Sequence, residues 1–208
     1  MLDPKDHIIA EADILFCRHG IKSITMDDVA ARLGMSKKTI YQHFTDKNEL
    51  VRTFIRNKLG AQKLLIDRMI ADADNAVDEI FRAIDLVKSL FLNINPTLFY
   101  DLQKYHPDAW GIFLQFRDEY MYQCIENNLR TGMAAGLYRK EIDVDVLTRL
   151  RLEQIDLVFN SMAFPPERYH PARVMVCLTE HFVYGLSTSE GQKQILKYKR
   201  IKDQNPYI

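Results

Sequence analysis

Lys37, Lys38, Thr39, Tyr41, Gln42 and His43 fall within one short stretch, and Lys47 follows soon after. Ammonium, hydroxyl and amide groups packed this closely are donors for phosphate oxygens and base edges, so the chemistry they offer is nucleic-acid binding. Their apolar neighbours decide which of them face outward. With Val29, Leu33 and Ile40 committed to an interior, a 3.6-residue period sends Lys37, Lys38, Tyr41 and Gln42 to the opposite side. A major groove about 12 Å wide admits one helix and meets the N-terminal residues of that helix first. Lys37, Lys38 and Gln42 are therefore expected base or phosphate donors, Thr39 and Tyr41 hydroxyl donors to phosphate, and His43 and Lys47 trailing backbone contacts. Thr25, at the start of the preceding helix, is expected to add a phosphate contact beside the exposed N–H groups there.

Caps and breakers predict the elements that hold this face. Asp3-Pro4 starts a first helix with Ile8, Ala12, Leu15 and Phe16 inward, and Gly20 ends it. Thr25 with Asp28 makes a capping-box-like start to a second helix. Ala30 is small where two helices cross, and Gly34 can take the positive φ of a sharp inter-helix turn. Ser36 caps a third helix reaching about Phe44. Asp46 with Glu49 opens a fourth that begins near 47 and runs towards Met69. Further starts are expected after Asn75, at Asn95-Pro96 and His106-Pro107, at Asp143, at Pro171 and near Ser187-Thr-Ser-Glu190. No strand, repeat or low-complexity tract is predicted.

The run TMDDVAARLGMSKKTIYQHFTDK, Thr25 to Lys47, closely resembles the N-terminal DNA-binding domain of the tetracycline-repressor (TetR) family. The resemblance is strong over about residues 5 to 55. In that family the positions matching Lys37, Lys38, Thr39, Tyr41, Gln42, His43 and Lys47 commonly face DNA. The resemblance implies an all-α fold of nine to ten helices, with an N-terminal three-helix bundle carrying a helix-turn-helix and a larger helical domain for ligand binding and dimerisation. It also implies a homodimer, repression as the default mode, and a small-molecule effector. The expected domains are 1–48 for DNA binding and 49–208 for ligand binding and dimerisation.

Composition sets the outer limits. In 208 residues, 28 cations balance 28 anions, which by itself argues against a nucleic-acid partner. The average hides a division, because residues 32–58 carry seven cations against two anions, net +5, so the remainder carries net −5. No apolar run approaches a membrane span, and an opening with Asp3, Lys5 and Asp6 is not a signal-peptide core, so a cytoplasmic protein is expected. Cys17, Cys124 and Cys177 stand far apart and give neither a disulfide framework nor a metal motif. The six histidines are scattered, and HExxH, GxSxG and glycine-rich phosphate loops are missing from the sequence, so no catalytic residue, metal or cofactor is expected and the protein is not read as an enzyme. A helical adaptor that binds only protein is the alternative to an operator-binding regulator.

Residues 91–122 hold nine of the chain's 22 aromatics. Phe91, Phe99, Tyr100, Trp110, Phe113, Phe116 and Tyr120 are candidates for a pocket suited to a largely apolar effector; core filling is the other reading of the same residues. The two helices near 144–162 and 171–186 match the family's dimerisation helices by position. Leu150, Leu157, Val174, Leu178 and Phe182 are their candidate interface residues, with closure of the monomer's own core as the alternative. Operator sequence, effector identity, target genes and the choice between repression and activation are not encoded legibly.

Overall fold

The computed structural model describes residues 3–92, 94–95, 97–160, 162–165 and 167–204, without side chains at 91, 92 and 201–204. Among them ten helices follow in order. They are α1 (Pro4–His19), α2 (Met26–Leu33), α3 (Lys37–His43), α4 (Lys47–Ala71), α5 (Ala76–Leu92) and α6 (Thr97–Tyr105). Next comes α7, whose α-helical parts Pro107–Gln115 and Tyr122–Ala134 are joined by a π-helical stretch, Phe116–Met121. Last are α8 (Val144–Leu157), α9 (Pro171–Leu186) and α10 (Ser189–Gln204). The only β-type pairing among the described residues is an isolated bridge between Tyr138 and Ser187.

The helices start where short polar side chains can accept the N–H groups that lack an intrahelical partner. Asp3, Ser36 and Asp143 each accept a first-turn amide, and Pro4 and Pro171 occupy first-turn positions where a missing N–H costs nothing. At α2 the capping box is complete, with Thr25 and Asp28 exchanging bonds. The turn into α3 needs a left-handed residue, and Gly34 supplies it at φ +64°.

Two compact units result, Met1–Lys63 with Leu90–Phe116, and Leu64–Ser89 with Arg117–Ile208. The core of the first unit draws on both of its segments. Leu98 and Leu102 of α6 and Ala109 and Phe113 of α7 belong to the same apolar core as Ile8, Phe16, Ile40 and Leu50. The first unit is thus a helix-turn-helix whose core is closed by later helices. Polar bonds fix the same junction: the Asn95 amide N–H donates to the Cys17 carbonyl at 2.6 Å, and the buried Asp101 carboxylate accepts the Lys22 N–H at 2.8 Å.

The second unit has its own core of Val77, Phe81, Ile84, Leu129, Tyr138, Phe182, Val183, Leu186 and Ile195. Phe182 and Val174, two of the expected dimer contacts, are 7% and 6% exposed and pack within their own chain. Leu150 and Leu157 are open, at 46% and 37%, and Leu178 is half-buried. Helix phase separates the two pairs, since Val174 and Phe182 lie on the inward side of α9 whereas Leu150 and Leu157 lie on the outward side of α8.

Candidate nucleic-acid interface

Helix α3 is only seven residues long, so packing has to fix its orientation. Ile40, fully buried, is its anchor, and Val29 of α2 lies buried in the same core at 1% exposure. Burying one such aliphatic side chain contributes about 1.5–3 kcal/mol. Ser36 caps α3 by accepting the Thr39 N–H at 3.1 Å, and its hydroxyl lies 2.8 Å from that of Thr39. Thr39 is consequently half-buried and engaged in the cap.

On the other side of α3, Lys37, Lys38, Tyr41 and Gln42 are exposed, and His43 is half-buried at the end of the helix. Tyr41 leaves 43% of its surface open although it is a large aromatic. The arrangement offers two ammonium groups, a phenol and a carboxamide within two helical turns, the set of donors that phosphates and base edges accept.

Lys37 is not free on this surface. Its ammonium sits 2.8 Å from a carboxylate oxygen of Asp27 on α2, and this hydrogen-bonded partner raises the lysine pKa. Exposed pairs of this kind contribute little to stability, about 0–1 kcal/mol. The aspartate therefore matters more as a negative charge beside an exposed amine that is a candidate for phosphate binding. Asp27→Asn is expected to leave the fold intact and to tighten DNA binding several-fold at low salt, with the gain shrinking as salt rises. Fluorescence anisotropy over a salt series measures it, and unchanged affinity at every salt would contradict the reading.

Two candidates are occupied elsewhere. The Thr25 hydroxyl and N–H both donate to Asp28, at 2.7 and 2.8 Å, which lowers the carboxylate's pKa and holds a negative charge at the start of α2. Lys47 is half-buried, its ammonium donates to the Ile21 carbonyl at 2.6 Å, and burial lowers its pKa. This amine ties the start of α4 to the α1–α2 turn. Neither Asp27 nor the Lys47 bond has a signature in hydrophobic period or caps, because each partner is brought close only by the packing of other helices.

The aromatic candidates do not form one group. Trp110 stacks on Phe113 at 4.9 Å and Phe99 meets the edge of Phe113 at 5.9 Å, in the core of the first unit. Phe113 is buried there, and Phe99 and Trp110 are half-buried against it. Tyr100 is 47% exposed and accepts a bond from Lys104 at 2.7 Å. Phe116 is half-buried at the end of the first unit, and Tyr120, in the second, donates to Asp67 at 2.7 Å. The Phe91 side chain lies outside the described residues. Among the described residues there is no cluster of three metal-ligating side chains, and no helix is long and apolar enough to cross a membrane.

Known proteins carry the same domain and the same arrangement of helices. The family described as bacterial regulatory proteins, tetR family, matches residues 8–53, which span α1 to the start of α4. The chain is 31% identical over 110 residues to YvaF of Bacillus subtilis, an uncharacterised HTH-type transcriptional regulator; the match covers 50% of this chain and 54% of that one, about half its length. It is 21% identical over 150 residues to the HTH-type transcriptional repressor KstR2 of Mycolicibacterium smegmatis, covering 70% of this chain and 72% of that one. Among solved structures, a TetR-family regulator from Agrobacterium tumefaciens has a similar fold, with TM-score 0.71, 14% identity, and coverage of 88% of this chain and 97% of the other. The ketosteroid regulator KstR2 of Mycobacterium tuberculosis gives TM-score 0.60 at 16% identity, covering 91% and 97%. From Ile8 to Thr53, across its helix-turn-helix, the chain carries the domain that defines the tetR family of bacterial regulatory proteins.

Proposed function

We propose that the protein is a dimeric, one-component transcription regulator that binds operator DNA through α3 and lets go when its C-terminal part takes up a small effector. The observation that carries this reading is the outward face of Lys37, Lys38, Tyr41 and Gln42 over a buried Ile40, inside a domain matched to a DNA-binding family. Repression is the mode because the relative KstR2 is named as a repressor. Residues 1–48 supply DNA reading, and residues 49–208 supply effector binding and dimerisation. A largely apolar effector suits the aromatic content of 91–122, and KstR2 is named a ketosteroid regulator. A protein-binding adaptor would not need an amine, phenol and amide aligned on one short exposed helix.

The dimer face in this reading is the outward stripe of α8, Val146, Leu150 and Leu157, at 56%, 46% and 37% exposure. Two copies joined there by a two-fold axis would present two α3 helices to a near-palindromic site, with half-sites about 34–36 Å apart or a multiple of that. Leu157→Glu should split the dimer and weaken operator binding together, because a charge buried in an interface has no compensating partner. Light scattering and DNase footprinting on the same preparations test this. A monomeric wild type at micromolar concentration, or a single protected half-site, would contradict it.

A further inference from the structure

Among the described residues, the second unit contains a half-buried cation with no anion paired to it. Arg151 of α8 reaches across to α9, donating from Nη2 to the Thr179 hydroxyl at 2.5 Å and lying 3.9 Å from the Met175 sulfur; Nη1 is 3.4 Å from the Gln154 side-chain oxygen. The guanidinium carbon is 5.5 Å from the centre of the Phe182 ring. Thr179, Met175 and Phe182 are all buried.

Every acid on these two helices is placed elsewhere. Asp145 pairs with Arg149, Asp156 with Arg117 and Glu180 with Lys199, while Glu153 is exposed two residues along α8 on a different side. Among the described residues, none forms an ion pair with Arg151. Burial accordingly drops its pKa from 12.5 to about 10. Guanidinium carries five N–H donors in a planar fork that matches a carboxylate bidentately, and neutral acceptors satisfy only part of it. A guanidinium drawn largely out of water without an ionic partner is costly, which points to a counter-anion from outside the chain.

We propose that Arg151 is the anion-binding residue of the second unit and receives the carboxylate of a small organic acid whose apolar body lies along the α8–α9 seam. A small molecule fits better than the carboxylate of a partner subunit, because the guanidinium contacts the buried side of α9 while the open stripe of Val146, Leu150 and Leu157 lies on another side of α8. Arg151 keeps part of its surface open, which leaves an approach. The proposal rests on the reading of this unit as the sensor.

Hexanoate and benzoate serve as probes, with hexanol and benzyl alcohol as uncharged counterparts, added to the full chain at constant ionic strength. The acids should raise the Tm of the wild type by several degrees and saturably, as ligand linkage requires, and the alcohols should not. In the wild type the Arg151 Nε–H resonance should shift with the same half-saturation. Arg151→Met, which removes the charge without opening a cavity, should have a Tm at or above wild type and lose the response. Arg151→Lys, which keeps the charge without the fork, should need at least ten times more acid. No acid-dependent shift in either readout, or a full response in Arg151→Met, would overturn the proposal. So would an Arg151→Met protein that turns monomeric while acids leave the wild type unchanged, since the anion would then be the partner's. Operator binding without acid, assayed on the same samples, separates the two readings: a wild type that binds DNA and ignores acids overturns only the Arg151 site.

Discussion

The double variant Lys37→Ala, Tyr41→Ala is expected to fold as the wild type does and to bind its operator about a hundredfold or more weaker. Both side chains are exposed, so truncation removes little packing; Lys37 gives up only a surface pair with Asp27. A good contact to a base edge is worth about 1–3 kcal/mol, and loss of a phosphate contact by Lys lowers the dependence of log affinity on log salt by about one. The two replacements should differ in kind. Lys37→Ala changes the ranking of operator variants if that amine reads bases, whereas Tyr41→Ala weakens all sequences about equally. Circular dichroism establishes folding and anisotropy titrations give the affinities. A folded double variant that binds as tightly as wild type would remove α3 as the reading element.

Gly132→Ala is expected to be severely destabilising for the second unit, costing about 3 kcal/mol or more. A Cβ at Gly132 would lie 2.1 Å from Cδ2 and 2.2 Å from Cε2 of Tyr138, whose ring is fully buried. That ring has little room to retreat. Its hydroxyl lies 3.0 Å from the Ala76 carbonyl and 3.1 Å from the Asn128 side-chain oxygen, and its own N–H donates to the Gly132 carbonyl at 3.1 Å. Tyr138 thus pins the end of α7 to the start of α5, and displacing it adds an unmade buried hydrogen bond to an overpacking cost of about 1–3 kcal/mol. Tyr138→Phe, which only deletes the hydroxyl, should cost about 1 kcal/mol. Gly132→Ala with Tyr138→Leu should recover part of the loss, since the smaller side chain vacates the contact and neighbouring sites couple. Urea unfolding compares the three; a Gly132→Ala change below about 0.5 kcal/mol would show that the ring moves freely.

The helices were largely legible because their ends are local chemistry. Thr25 with Asp28, Ser36, Asp143 and Pro171 mark starts that depend on no distant residue. The outward face of α3 was legible for the same kind of reason, since one buried Ile40 sets the phase of a seven-residue helix. What escaped depends on partners far along the chain. Lys47 looks like a basic surface residue until the α1–α2 turn brings the Ile21 carbonyl to 2.6 Å. The spacing of Trp110 and Phe113 does not show that α6 and α7 bring Phe113 into one core with residues of α1 and α4, with Trp110 packed against it. Val174 and Leu157 both look like apolar helix positions, and only the packing of α9 inside its own chain shows that one is core and the other open. The π-helical stretch Phe116–Met121 has no marker in helical period.

Specific DNA binding by the full chain is the central claim, and selection from a pool of random duplexes followed by anisotropy at physiological salt tests it most directly. The selected sequence should be a near-palindrome bound at least about a thousandfold tighter than a scrambled duplex of equal length, with affinity falling steeply as salt rises. Enrichment of no sequence, with equal weak affinity for selected and scrambled DNA, would contradict it.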